Sequence, residues 1–290
     1  MKQHNMQLII ALEFGGAESL ALNICRQLQW AGVCRASLCG FFGKKGVLAG
    51  IAEQDGIGVN YLDALKRNKL AAMYDLYSLL RRERVTVMQV HGAYLLQFAV
   101  LPALMAGTKI IYTEHAKHSI LKYPRLLWIA KILSHACLRV VCVSRDLRDF
   151  MALTVGVRPL KLEVIHNGID IERFSCPESG EHARRNQSVV IGTVARLTEA
   201  KDHGNLLRAF AAVRKDVPDV RLLLVGDGEL RGEVESMVSS LGLADAVEMT
   251  GKRSDVPQLL AGMDIFVLPS RREGFPVSII EAMACRRAVV

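Results

Sequence analysis

Short, nearly continuous apolar runs alternate with amphipathic stretches along the whole chain, and this alternation limits the fold more than any other feature. In the first half, Gln7–Leu12, Arg35–Cys39, Val85–Val90, Lys109–Thr113 and Arg139–Val143 read as strands rich in Val, Ile and Leu. Gly16–Trp30, Leu70–Arg82, Tyr94–Ala106, Pro124–His135 and Arg145–Leu153 read as the helices between them. A strand apolar on both faces must be covered on both, and strands joined through helices run parallel. The expectation is an α/β fold with a parallel sheet between two helical layers.

The alternation lapses over residues 170–187, a polar stretch containing Pro177 and Gly180, and then restarts. Strands are expected at Val189–Val194, Val220–Val225, Ala246–Met249 and Asp264–Leu268, with helices at Asp202–Lys215, Glu229–Leu241, Val256–Ala261 and Pro276–Cys285. A chain of 290 residues exceeds one ordinary core. Two Rossmann-like domains are expected, residues 1–170 and 188–290, joined by a linker at 171–187. The last residues, Arg287 to Val290, look like the opening of another strand, so the second domain is expected to be incomplete, the chain being truncated at its C-terminus.

Composition narrows the setting. The seven cysteines are odd in number and contain no Cys-x-x-Cys pair, which argues against a disulfide framework or zinc site and for a reducing compartment. No signal peptide is expected at the N-terminus. The longest nearly apolar stretch, Tyr94 to Gly107, is shorter than the roughly 20 residues of a spanning helix. A cytoplasmic protein is expected, free or peripheral on the inner face of the cytoplasmic membrane, and monomeric. The net charge of +8 is uneven: residues 1–170 carry 21 Lys and Arg against 12 Asp and Glu, whereas the remainder is nearly balanced. No nucleic-acid-binding motif accompanies this charge, so nucleic acid is not an expected partner. An anionic membrane surface or acceptor fits it better, beside the plain alternative of a solvated basic face.

Several strand ends carry residues suited to a phosphorylated ligand. Gly15 and Gly16 precede Ala17 and Glu18 where the first strand meets the first helix, and serve equally as a structural turn or a close-approach loop. Arg196 and Lys201 follow the strand Val189–Val194, where a planar fork and a point charge together suit a diphosphate. Glu273 and Glu281 flank the turn after Asp264–Leu268: Gly274 keeps Glu273 in the loop, Pro276 suits the first helical position, and Glu281 lies in the helix. Loops containing Gly226 and Gly228, and Gly251 with Lys252, end two further strands on the same side of the expected sheet.

These strings resemble glycosyltransferase family 4, the large retaining family with the GT-B fold. The likeness is carried by Ala195-Arg-Leu with Lys201-Asp, Leu224-Val-Gly-Asp-Gly-Glu229, Gly251 with Asp255-Val, Asp264-Ile-Phe-Val-Leu-Pro-Ser270 and Glu273-x7-Glu281-Ala-Met-Ala284. In the first half it is carried by Gly15-Gly-Ala-Glu18, Thr113-Glu-His115, Val143-Ser144 and Ile165-His-Asn-Gly-Ile-Asp170. The resemblance implies two domains facing a cleft and transfer of a hexose, with retention, from a UDP- or GDP-sugar. It implies that Arg196 and Lys201 hold the donor diphosphate, that Glu281 binds ribose, and that Glu273 faces the sugar. Gly274, Phe275, Pro276 and Val277 would contact sugar and phosphate, and Gly251 and Lys252 would lie near the base. Neither cofactor nor metal is implied, and no Asp-x-Asp motif sits at a suitable strand end.

His115 would lie beside the donor sugar as a catalytic residue, with a purely structural role as its alternative. His91 would also face the cleft, and His166 would support the hinge. Arg125, Lys131, His135 and Arg139 share one half of a helical wheel with Trp128 and Ile132, which suits either a lipid interface or core packing. The implied acceptor is a lipid-linked or cell-surface glycan, such as a polyprenyl-diphosphate-linked glycan or a lipopolysaccharide core. Two rivals stand beside this reading: a non-catalytic nucleotide-sugar-binding protein, and a sugar-nucleotide epimerase on the same architecture.

Overall fold

The computed structural model describes residues 3–13, 15–42, 46–64, 68–175 and 188–290. They form two compact units, Met1–Asn167 and Gly168–Val290.

The first unit runs β1 (His4–Ile9), α1 (Gly16–Trp30), β2 (Arg35–Gly40), α2 (Val47–Gln54), β3 (Gly58–Tyr61), α3 (Lys69–Arg82), β4 (Val87–His91), α4 (Ala93–Ala106), β5 (Lys109–Glu114), α5 (Lys117–Lys122), α6 (Pro124–Leu133), β6 (Arg139–Cys142), α7 (Arg145–Phe150) and β7 (Leu162–Val164). Its seven strands are all parallel, in the order β3-β2-β1-β4-β5-β6-β7. The order reverses between β1 and β4, so the loops leaving these two strands flank the crevice where such a sheet takes its ligand.

The expected strand Gln7–Leu12 begins three residues earlier, because tertiary bonds hold its polar start. The His4 amide donates to Thr86 Oγ1 at 2.9 Å, and the His4 ring reaches Ser37 Oγ at 2.8 Å. Val85 closes the end of α3 by donating to Leu80 O at 3.0 Å, so β4 starts two residues later than its apolar run. The expected helix Pro124–His135 stops at Leu133; Ser134–Ala136 form a 3-10 turn and Arg139 starts β6. His135 and Arg139 therefore do not share the α6 face with Arg125 and Lys131. Trp128 and Ile132 are 60% and 61% exposed, whereas Leu126 and Ala130 are the α6 residues that enter the core.

The second unit runs α8 (Ile171–Phe174), β8 (Val190–Val194), α9 (His203–Asp216), β9 (Arg221–Val225), α10 (Arg231–Ser240), β10 (Val247–Gly251), α11 (Val256–Gly262), β11 (Ile265–Phe266), α12 (Val277–Ala284) and β12 (Ala288–Val289). Its sheet has the order β10-β9-β8-β11-β12, again parallel, with the reversal between β8 and β11. One core lies under α9 and α10 and includes Leu207, Phe210, Leu222 and Leu224; another gathers Leu260, Met263, Phe266 and Ala282 around Phe174. Residues 171–174, expected as part of the linker, thus form a helix packed into this unit, while 176–187 lie outside the described residues.

Candidate active site

Two loops leave the second sheet at its reversal, and both are built by local backbone geometry. After β8, Ala195 donates to Val225 O at 3.0 Å and Leu197 to Asp227 O at 3.1 Å, so this loop lies directly on the one that follows β9. That contact demands glycine. A Cβ on Gly226, whose φ is +135°, would stand 2.0 Å from Ala195 O, and one on Gly228 would stand 2.3 Å from Leu197 O. A 3-10 turn at Glu199–Lys201 then presents Lys201, and Asp202, at φ +48°, caps α9 by accepting from the Asn205 amide. The loop after β11 is tied to this turn twice. Arg271 donates its amide to Ala200 O at 2.9 Å and its Nε to Asp202 Oδ2 at 2.7 Å, which holds the Asp202 carboxyl below its usual range.

The ties bring the expected residues together. Lys201 Nζ and Glu273 Oε1 form an ion pair across 72 positions of sequence. Arg196 is exposed, and its guanidinium makes no ion pair among the described residues. Gly274, Phe275 and Pro276 lead into α12, where Pro276 occupies the cap rather than the expected first helical position, which falls to Val277. The backbone at Pro276 is extended (ψ 114°), so the helix can begin only one residue later. Glu281 sits within α12, largely buried; desolvation pushes its carboxyl up to about 7, and Arg173 on α8 opposes that shift. Gly251, at φ +70°, ends β10 and accepts from the Gly226 amide at 2.9 Å, with Lys252 exposed beyond it.

In the first unit, Gly15 caps α1 with extended backbone (φ −164°), and a Cβ on Gly16 would meet nothing within 4 Å. Local conformation therefore requires glycine at neither position, and the space beside Gly16 is open. His115 follows β5, and its Nε2 lies 2.9 Å from Nδ1 of His91, which ends β4. Burial holds His115 down at about 4. Beneath the pair, the buried Glu114 accepts from the amides of Ala93 at 3.1 Å and His115 at 3.0 Å and from the Tyr112 hydroxyl, and desolvation raises its pKa. His166 donates its Nδ1–H to Val143 O at 2.9 Å, within the same unit.

Sequence reasoning passed over Arg271 and Gln7. Arg271 stands two residues from Glu273 in the same strand-end loop, a usable signal, but its partner Asp202 is 69 positions away. Gln7 interrupts an apolar strand, and a buried amide in such a run signals a polar network.

The family model described as Glycosyltransferase Family 4 matches residues 14–173, and that described as Glycosyl transferases group 1 matches residues 188–290. The chain belongs to glycosyltransferase family 4. Among its relatives, the chain is 26% identical over 251 residues to the Escherichia coli UDP-Gal:alpha-D-GlcNAc-diphosphoundecaprenol alpha-1,3-galactosyltransferase, covering 79% of the chain and 65% of that relative. It is 24% identical over 274 residues to the gpi3 subunit of the Schizosaccharomyces pombe phosphatidylinositol N-acetylglucosaminyltransferase, covering 86% and 59%. The chain thus spans less than two thirds of these relatives' own length. Among solved structures, Anabaena Alr3699/HepE in complex with UDP and glucose superposes with a TM-score of 0.84 at 23% identity, over 99% of this chain and 80% of that one. That likeness places the fold among the family's two-sheet GT-B structures.

Proposed function

We propose that the chain carries the donor and catalytic residues of a retaining hexosyltransferase, moving a sugar from a UDP- or GDP-sugar to a lipid-linked or surface-polysaccharide acceptor. The observation that carries this reading is the Lys201–Glu273 pair at the carboxyl ends of β8 and β11, where the sheet order reverses. A donor diphosphate arriving there meets Arg196 and Lys201, and their charges stabilise the nucleotide as it leaves. Lys201 exchanges Glu273 for phosphate, which frees the Glu273 carboxylate for the sugar. Glu281 accepts from the ribose hydroxyls, Gly251 and Lys252 lie beside the base, and the backbone of Gly274, Phe275, Pro276 and Val277 lines the sugar and phosphate. In the first unit, Gly15 and Gly16 are assigned to donor binding and His115 to catalysis. Cation-assisted departure needs no metal.

The acceptor reading is supported by the α5–α6 surface. Leu121, Tyr123, Trp128 and Ile132 are all exposed, with Lys131 Nζ 5.4 Å from the Trp128 ring centroid and Lys122 Nζ 5.6 Å from that of Tyr123. Aromatic and aliphatic side chains among cations suit the boundary of an anionic membrane. No described helix is long and apolar enough to cross a membrane. A peripheral position on the inner face of the cytoplasmic membrane follows from this reading.

Thermal-shift titration with UDP, GDP, ADP and their sugar conjugates tests it. The cognate diphosphate at 100 times its Kd should add about 2.7 kcal/mol of stability and raise the melting temperature selectively. A cooperatively melting protein that none of them stabilises would overturn the donor-site assignment. Incubation of the cognate sugar nucleotide with polyprenyl-diphosphate-linked glycan, with the anomeric configuration of the product read by NMR, then tests transfer and retention.

A further inference from the structure

A run of polar side chains crosses β1, β4 and β5 in the middle of an otherwise apolar sheet. Gln7 on β1 is fully buried, and His91 at the end of β4 is 4% exposed. Gln7 Nε2 donates to Asn5 Oδ1 at 2.5 Å and to Gln89 Oε1 at 3.2 Å, and Gln89 Nε2 donates to Thr113 Oγ1 at 2.8 Å. The other end of the Gln7 amide, Oε1, lies 2.7 Å from His91 Nε2. His91 Nδ1 in turn lies 2.9 Å from His115 Nε2, with the rings nearly parallel at 11°.

The chemistry of these atoms gives the chain of bonds one direction. An amide oxygen only accepts, so the His91 proton is on Nε2. A neutral imidazole has a single N–H, so His91 Nδ1 is a lone pair and can only accept from His115. The His115 proton is therefore on Nε2, committed to His91, and its Nδ1 carries the remaining lone pair. That nitrogen makes no hydrogen bond among the described residues. Glu114 completes the arrangement by holding the His115 amide and the start of α4 in place.

We propose that Gln7 and His91 are positioning residues that fix the tautomer of His115, so that the nitrogen His115 offers to a ligand is always an acceptor. Burial keeps both rings neutral, and their mutual contact further opposes a charge on His91. The functional consequence rests on the reading of His115 as facing the donor sugar. A ring so arranged takes a hydrogen bond from a sugar hydroxyl and supplies no proton to the leaving group.

The test is two-bond proton–nitrogen correlation NMR of the full chain labelled at histidine, between about pH 6 and 8. Protonated Nε2 and unprotonated Nδ1 are expected for both His91 and His115; a proton on Nδ1 of either ring overturns the proposal. Gln7→Glu supplies the second arm. A carboxylate beside Nε2 charges His91, which then donates from Nδ1 as well and forces His115 to accept at Nε2 and carry its proton on Nδ1. This flip should lower kcat for transfer by about tenfold or more while the nucleotide Kd stays within about twofold. An unchanged His115 tautomer in a folded Gln7→Glu variant refutes the relay. A flip with unchanged kcat upholds the relay and instead removes His115 from the sugar site. Should the variant not fold, the wild-type spectrum decides alone.

Discussion

Replacing Glu281 with glutamine should stabilise the second unit, and by an amount that depends on pH in a defined way. The Glu281 carboxyl is raised from 4.5 to about 7 in the folded chain because burial in α12 disfavours its charge more than Arg173 favours it. A group whose folded pKa is raised contributes stability that is fully present below about 4.5 and is lost as pH rises through about 7. At about 1.4 kcal/mol per tenfold in proton affinity, the loss reaches about 3 kcal/mol above pH 8. Glutamine keeps the shape of the protonated acid and never ionises. The variant should therefore match the wild type near pH 4.5 and exceed it by about 3 kcal/mol at pH 8.5. Both tryptophans, Trp30 and Trp128, lie in the first unit, so fluorescence does not see this change. Urea-dependent hydrogen exchange at the amides of β8 and β9 does. All other titrating groups cancel in the difference between the two proteins. A difference that stays flat from pH 5 to 8.5 would refute the reasoning, since it would mean that Glu281 is ionised in the folded chain throughout.

The same carboxyl makes nucleotide binding pH-dependent: its ionised form accepts more strongly from ribose hydroxyls than the protonated acid does, so affinity by calorimetry should rise as pH passes up through about 7 and level off above it. Glu281→Gln should flatten that profile, whereas an already flat wild-type profile would detach Glu281 from the ribose. Arg196→Ala, Lys201→Ala and Glu273→Ala should each cut transfer by about 10²–10³ with unchanged circular dichroism, and normal turnover in all three would sink the donor-site assignment. The glycines divide cleanly. Gly226→Ala puts a Cβ 2.0 Å from Ala195 O at a φ of +135° and should cost several kcal/mol in urea denaturation, on the order of 3. Gly16→Ala meets nothing within 4 Å in the first turn of α1 and should leave stability unchanged or raise it by about 0.5–1 kcal/mol, while a loss of sugar-nucleotide affinity would show that the open space is used by ligand.

Much of the architecture was legible because its signals are local. Short Val, Ile and Leu runs such as Arg221–Val225, set between amphipathic stretches, read as strands covered on both faces, and the 3.6-residue period of His203–Asp216 marks a helix that buries one side. Those two patterns in alternation determined two parallel sheets, and the strand-end positions of Arg196, Lys201, Gly251 and Glu273 followed from the same reading. Elements without a strong period were not legible. β3, Gly-Val-Asn-Tyr, is four residues at a sheet edge whose identity as a strand comes from pairing with β2, and α8 exists because Phe174 finds a core to enter. Element ends shifted where a bond or a backbone angle set them, as at His4, Val85 and Pro276.

What only the tertiary structure decided was pairing and environment. Lys201 meets Glu273, and Asp202 meets Arg271, because the sheet order places β11 beside β8, although roughly seventy residues separate the partners in each pair. Gln7, His91 and His115 form one chain of hydrogen bonds because β1 adjoins β4 and β4 adjoins β5. Glu281 has its raised pKa because α12 is covered on the side where that carboxyl lies. Periodicity and turn chemistry act within a few residues and are written in the chain. Proton affinity, tautomer and ion pairing depend on which surfaces exclude water and which strands become neighbours, and those are settled only when the sheets assemble.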